Sequence, residues 1–123
     1  MGYIENDGIK NSEIDVQGRL DGRTVKNYIS SQIKADIDSF QFLHVTHPAN
    51  LRERLHSHDH SYEILYFLDK ANYRINGGDY VISKGDLVIF EPGDIHGATP
   101  IENHVDLLVF QIPQISDDKK YYE

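Results

Sequence analysis

From residue 40 onward the chain alternates short apolar runs with turn-forming residues. "FQFLHVTH" is strand-like and is stopped by Pro48. In "YEILYFL", Glu63, Leu65 and Phe67 share one face, and Tyr62, Ile64, Tyr66 and Leu68 the other, because strand side chains alternate. "NYRI" and "DYVIS" flank Asn76-Gly77-Gly78, a tight hairpin turn. "DLVIF" lies between the turn-like Lys84-Gly85 and Glu91-Pro92-Gly93. "HVDLLVFQIP" is a last strand, ended by Pro113. Turn signals thus recur about every 8–12 residues, the pattern of an antiparallel sandwich or barrel. "YEILYFL" and "DLVIF" are apolar on both faces. One face can fill a barrel. The other needs a cover, from the N-terminal segment or from a second subunit. A homodimer is therefore expected.

The N-terminal third reads differently. Its first ~20 residues are polar with scattered apolar positions, which suits a loose arm. "RLDGRTVKNYISSQIKADIDSF" carries two conflicting signals. Val25, Ile29, Ile33 and Ile37 form a helical stripe that Thr24 could cap. Asp21-Gly22, between short mixed segments, signals a hairpin instead. The stripe predicts a helix near 24–36. The chain then divides into an N-terminal arm with a possible helix (1–38), a barrel (39–113) and a C-terminal tail (114–123). The tail, "QISDDKKYYE", is charged and is expected to be frayed or packed on the outside.

The length, 123 residues, is that of one domain, and no repeat or low-complexity tract is visible. There is no cysteine, which excludes disulfides, thiolate metal sites and a cysteine nucleophile. That absence suits a reducing compartment. The polar, acidic start does not read as a signal peptide, and no run approaches the ~18 apolar residues of a membrane span. A cytoplasmic location is expected, with no membrane partner. The net charge of −8 repels phosphate backbones, so nucleic-acid binding by this chain alone is not expected.

Histidine changes the picture. Residues 55–65, "LHSHDHSYEIL", hold His56, His58 and His60, with Glu63 close behind. In an extended chain His56 and His58 point to one face. Glu63 is an odd step beyond His58, so a regular strand turns it to the other face. Asp59 and Ser61 favour a turn, and a bulge there would reset the parity and return Glu63 to the histidines. Glu63 would then be the one charge on a face shared with Leu65 and Phe67. A carboxylate so placed needs a cation or hydrogen bonds. A divalent metal supplies the cation, and neutral imidazoles supply its other ligands. Far along the chain, "GDLVIFEPGDIH" runs through a Pro-Gly turn to His96, a fourth ligand that an antiparallel sheet can deliver. His60 is off the parity of His56 and His58. It reads either as a solvated loop histidine or as a ligand-binding donor and proton shuttle at the pocket rim. His44 shares the face of Phe40 and Phe42 and reads as a satisfied, partly buried side chain. His104 reads as structural, and Glu91 as part of a surface turn.

His56-x-His58-x4-Glu63, then Gly85-Asp86, Gly93 and His96, resembles the two motifs of the cupin superfamily. The likeness covers roughly residues 40–112. It implies an all-β fold, a double-stranded β-helix or jelly-roll barrel. It also implies that His56, His58, Glu63 and His96 hold one divalent transition metal: zinc, iron, manganese, nickel, cobalt or copper. The match is not complete. Glycines of the pattern are replaced by Asn50 and Lys70, a proline by Glu91, and an asparagine by Pro100. None of these removes a metal ligand. The adjacent Pro92-Gly93, with "HSHDHSYEILYFL" and "YVISKGDLVIFEPGDIH", is similar to the sugar-sensing barrels of AraC-type transcription regulators. Those regulators carry a helix-turn-helix domain after the barrel, and none is expected within these 123 residues.

Three functions follow. The barrel binds a metal and a small polar ligand, sugar-like or acidic. Alternatively it is a metalloenzyme of dioxygenase or isomerase type. As a third reading, it is a metal-free ligand-sensing domain of an AraC-type transcription regulator. No catalytic residue is assigned.

Overall fold

The computed structural model describes residues 3–4, 8–9, 11–14, 16–18, 20, 24–26 and 39–122. Its strands are β1 (Tyr3–Ile4), β2 (Gly8–Ile9), β3 (Val16–Gly18), β4 (Thr24–Lys26), β5 (Gln41–His47), β6 (His56–His58), β7 (Tyr62–Phe67), β8 (Ala71–Ile75), β9 (Gly78–Ile82), β10 (Leu87–Phe90), β11 (His96–Thr99), β12 (Val105–Ile112) and β13 (Lys119–Tyr121). Each strand expected after residue 39 forms. The short β6 and β11, which carry the histidines, and the terminal β13 are added to them.

Two antiparallel sheets face each other. One has the order β1-β2-β10-β7-β12-β5, the other β13-β6-β11-β8-β9. From β5 to β13 every connection except the β8–β9 hairpin crosses from one sheet to the other. This is the jelly-roll path expected from the sequence. The hairpin turns on Asn76 (φ 46°) and Gly77 (φ 86°). Both central residues have positive φ, as a two-residue turn of this hand requires. Its register pairs Ile75 with Gly78.

The core lies between the sheets. Leu65, Phe67, Val88, Phe90, Val105 and Leu107 face Ala71, Tyr73, Ile75, Ile82 and Ala98. Each large apolar side chain buried here contributes about 1.5–3 kcal/mol relative to exposure. The alternation expected for β7 is observed: Leu65 and Phe67 point inward, on the face they share with Glu63. The opposite face of this sheet carries an apolar row in register, Phe42 beside Phe110, Phe110 beside Ile64, and Ile64 beside Ile89. Phe110 also stacks on Phe40 with ring centroids 5.5 Å apart.

Two expectations are corrected, and the alternatives for the tail are resolved. Residues 24–26 are not the start of a helix. They form β4, which pairs with β3 through Val16↔Lys26 and Gly18↔Thr24. The strand pairing therefore outweighs the four-residue stripe at residues 24–26, while Asp21-Gly22 and residues 27–36 lie outside the described residues. Of the two expectations for the tail, packing on the outside is the one observed: Lys119, Lys120 and Tyr121 form an edge strand that pairs with His58, Ser57 and His56. The unpaired amides of an edge strand reward any partner, whatever its charge. His44 is not partly buried. Its side chain is 57% exposed and its Nε2 lies 3.3 Å from Asp106 Oδ1, because Phe40 and Phe42 mark the outer face of an edge strand.

Candidate metal and ligand site

His56 and His58 lie on β6 and His96 lies on β11, with His56 and His96 directly paired in the sheet. Glu63 stands opposite, on β7. Between β6 and β7 the chain bends at Asp59-His60 and then resumes as strand. That bend supplies the parity reset read from the sequence. One ligand atom from each of His56, His58, Glu63 and His96 lies within 4.8 Å of all the others. All three histidines are buried, and the Glu63 side chain is 15% exposed.

The ring orientations are fixed from behind. His56 Nδ1 donates to the Arg54 carbonyl at 2.8 Å, and His96 Nδ1 to the Asp94 carbonyl at 3.0 Å. A carbonyl only accepts, so each Nδ1 carries the proton and a neutral ring offers Nε2 as a lone pair. The His96 ring is also held flat against Phe90, with centroids 3.7 Å apart and planes 6° apart. The Asp94 carbonyl is placed by Asn76, which donates to Asp94 Oδ1 at 3.1 Å and accepts from the Ile95 amide at 2.7 Å. The Pro92-Gly93 turn is tied to the other ligand strand, because the Gly93 amide donates to the His58 carbonyl at 2.9 Å.

The donors converge on one carboxylate. His96 Nε2 is 3.2 Å from Glu63 Oε1, and His58 Nε2 is 3.2 Å from Glu63 Oε2. The His58 contact lacks hydrogen-bond geometry, and neither buried nitrogen of His58 has a hydrogen-bond partner. With Nδ1 protonated, His96 turns a lone pair toward an electron-rich oxygen. Only a cation between them resolves that approach, either a proton or a metal ion. Donors bound about 2.1 Å from a common ion sit about 3.0–3.4 Å from one another. The 3.2 Å spacings and the orphaned Nε2 of His58 therefore fit an ion. When the cation is a proton, burial pushes the Glu63 carboxyl up, but His58 and His96 in their protonated forms outweigh it and hold it well below the usual carboxylate range. Burial is the main cause that lowers the His56 pKa, so this ring is neutral near pH 7.

His60 does not join the four. Its side chain is 74% exposed, and its Nδ1 lies 2.9 Å from Asp118 Oδ1. His104 is exposed beside Asp106, and Glu91 is exposed in its turn. A second group, Asp69, His104 and Asp106, gathers at the surface. It is satisfied without an ion: Thr46 donates to Asp106, and the Asp106 amide donates to Asp69 at 2.8 Å. A separate cleft lined by His47, Leu51, Ala71, Ile101 and Val105 has room for about 10 Å³, about one water molecule, and contains none of the four site residues. Sequence reasoning missed Asp118, Asn76, Phe90 and Tyr73. Tyr73 is fully buried among core rings, and burial first, then the Glu53 and Glu63 charges, push its phenol up, so it remains a neutral donor. Only Asn76 had a local signal, its turn.

Two facing sheets that enclose three histidines and a glutamate define a cupin, a double-stranded β-helix barrel. The chain belongs to the AraC-like ligand binding domain family, whose model matches residues 40–114. No curated protein matches it. Among solved structures it is similar to the DMSP lyase DddQ from Ruegeria pomeroyi (TM-score 0.61, 23% identity, 68% of this chain and 43% of the lyase). It is also similar to a conserved protein with a double-stranded β-helix domain from Klebsiella pneumoniae (TM-score 0.62, 18% identity, 72% and 75% of the two chains). A cupin protein from Bacteroides fragilis gives a TM-score of 0.57 at 20% identity, over 80% and 93% of the two chains. These likenesses show the fold. The chain spans less than half the length of the lyase. Among the described residues no helix is long and apolar enough to cross a membrane.

Proposed function

We propose that this domain binds one divalent transition metal through His56, His58, Glu63 and His96, and with it a small polar ligand, sugar-like or acidic, in the barrel. The observation that carries this reading is the convergence of Nε2 lone pairs and one carboxylate with the Nδ1 protons turned away. Three imidazoles and a carboxylate suit zinc, iron, manganese, nickel, cobalt or copper. A bound ion supplies Lewis acidity and open coordination positions. His56 and His96 are held by backbone carbonyls, Phe90 keeps the His96 ring in plane, and Tyr73 contributes a neutral phenol to the barrel interior. His60, with Nδ1 committed to Asp118, offers Nε2 to a ligand at the rim. The apolar row of Phe42, Phe110, Ile64 and Ile89 suits a homodimer, and the cysteine-free sequence suits the cytoplasm.

Metal analysis of protein stripped with chelator and reloaded with divalent ions tests the reading. One ion per chain in the wild type and none in Glu63→Gln supports it. No stoichiometric uptake by the wild type contradicts it and leaves a metal-free sensor, in which Glu63→Gln changes ligand affinity only. A catalytic reading, as a dioxygenase or isomerase, draws on the fold shared with an enzyme, the DMSP lyase. Turnover that is lost with the metal would decide for it.

A further inference from the structure

The turn between β6 and β7 decides whether Glu63 meets the histidines, and one residue from the far end of the chain holds it. Asp118 is buried, with its side chain 2% exposed. Its carboxylate accepts the His60 amide at 3.1 Å, the Ser61 amide at 2.9 Å and His60 Nδ1 at 2.9 Å. Its backbone carbonyl accepts the Asp59 amide at 3.0 Å. Three successive amides, those of residues 59, 60 and 61, are therefore satisfied by Asp118 alone. Ser61 Oγ adds a bond to the Pro113 carbonyl at 2.6 Å. The strand that follows Asp118 pairs Lys119 with His58 and Tyr121 with His56. Tyr122 Oη meets Ser57 Oγ at 2.7 Å.

A regular strand through residues 59–62 would present its amides in alternation and turn Glu63 away from His58. Three consecutive amides gathered on one residue are incompatible with that alternation. We infer that Asp118 is a positioning residue for the metal site: it holds residues 59–61 in the bend that sets Glu63 opposite His58 and His96. This rests on the metal-binding reading above. Asp118 touches no ligand atom of the four and acts through the backbone between two of them.

The test uses the full chain, stripped of metal, in wild-type, Asp118→Asn and Asp118→Ala forms. Co2+ affinity is measured by competition, the Co2+ absorption spectrum is recorded, and apo melting temperatures and amide exchange at residues 60, 61 and 63 are compared. Outer partners of metal ligands commonly matter about 10–100-fold in affinity. A loss of that size is expected for Asp118→Ala, with a smaller loss for Asp118→Asn, faster exchange at the amides of residues 60 and 61 and an altered spectrum. A variant that melts lower yet binds Co2+ with wild-type affinity and spectrum, at a temperature where it is folded, overturns the inference. If Asp118→Ala does not fold, the near-isosteric Asp118→Asn decides by the same criterion. A wild-type chain that takes up no Co2+ overturns the metal reading itself, so the two failures are distinguishable.

Discussion

Gly97 sits on β11 between His96 and Ala98, and its replacement by alanine tests how tightly the ligand strands are packed. Its backbone is one that any residue can adopt, since no positive φ is involved. A Cβ added there meets the Glu53 carbonyl oxygen at 3.0 Å, Leu55 Cδ2 at 3.2 Å and the Arg54 carbonyl oxygen at 3.4 Å. Two of these three are backbone atoms of the segment leading into β6. Glu53 cannot easily retreat: its amide donates to the Ala98 carbonyl at 3.0 Å and its Oε1 accepts the Ala98 amide at 3.0 Å. Overpacking of this kind costs about 1–3 kcal/mol. Gly→Ala offsets about 0.4–1 kcal/mol by restricting the unfolded chain. The clash wins at mid-range by about 1.3 kcal/mol, within limits of about 0 and 2.6, which lowers Tm by about 4–7 °C in a domain of this size. Thermal melts followed by circular dichroism on apo protein measure it. Gly18→Ala is the control, because a Cβ there meets nothing within 4 Å. A Gly97→Ala protein that melts at or above the wild type refutes the packing argument.

Other outcomes are expected on the same grounds. Phe67 has no exposed surface, so Phe67→Ala loses about 3–5 kcal/mol, read as a lower urea midpoint. Burial pushes the Asp118 carboxyl up, but its bonds from His60 and Ser61 win and bring it down to about 2. A carboxyl with a depressed folded pKa contributes stability that is complete above the unfolded value, near 3.9, and is lost as pH falls toward the folded one. The Tm gap between wild type and Asp118→Asn should therefore hold above about pH 5 and shrink between pH 4 and 2. Burial lowers the His56 pKa below its ordinary value, so the folded state favours the neutral ring. Protons should compete with metal at this ligand only below about pH 6.5, and Co2+ affinity measured from pH 8 to 5 should fall on the acid side.

Much of the barrel was legible because period-two alternation and Gly/Pro punctuation are local signals. Leu65 and Phe67 face the core as read, and Asn76-Gly77 turns as read. The odd spacing between His58 and Glu63 was informative because Asp59 and Ser61 mark a bend. What holds that bend was not legible, since Asp118 lies 57 and 58 positions away from its partners and sits in a charged segment. His44 was misread because alternation shows that two faces differ, not which one of an edge strand meets the core. The stripe from Val25 onward matches a helix period, yet Val25 pairs with Gln17 in a two-stranded ladder. There a cross-strand partner outweighs a four-residue repeat.

The central claim is that four side chains from three strands surround one ion. Anomalous diffraction from crystals grown with saturating Co2+ or Zn2+ tests it most directly. The expected map has one peak about 2.0–2.2 Å from Nε2 of His56, His58 and His96 and from a carboxylate oxygen of Glu63. A map with no peak among these atoms, under conditions where ions bind elsewhere on the molecule, would contradict it.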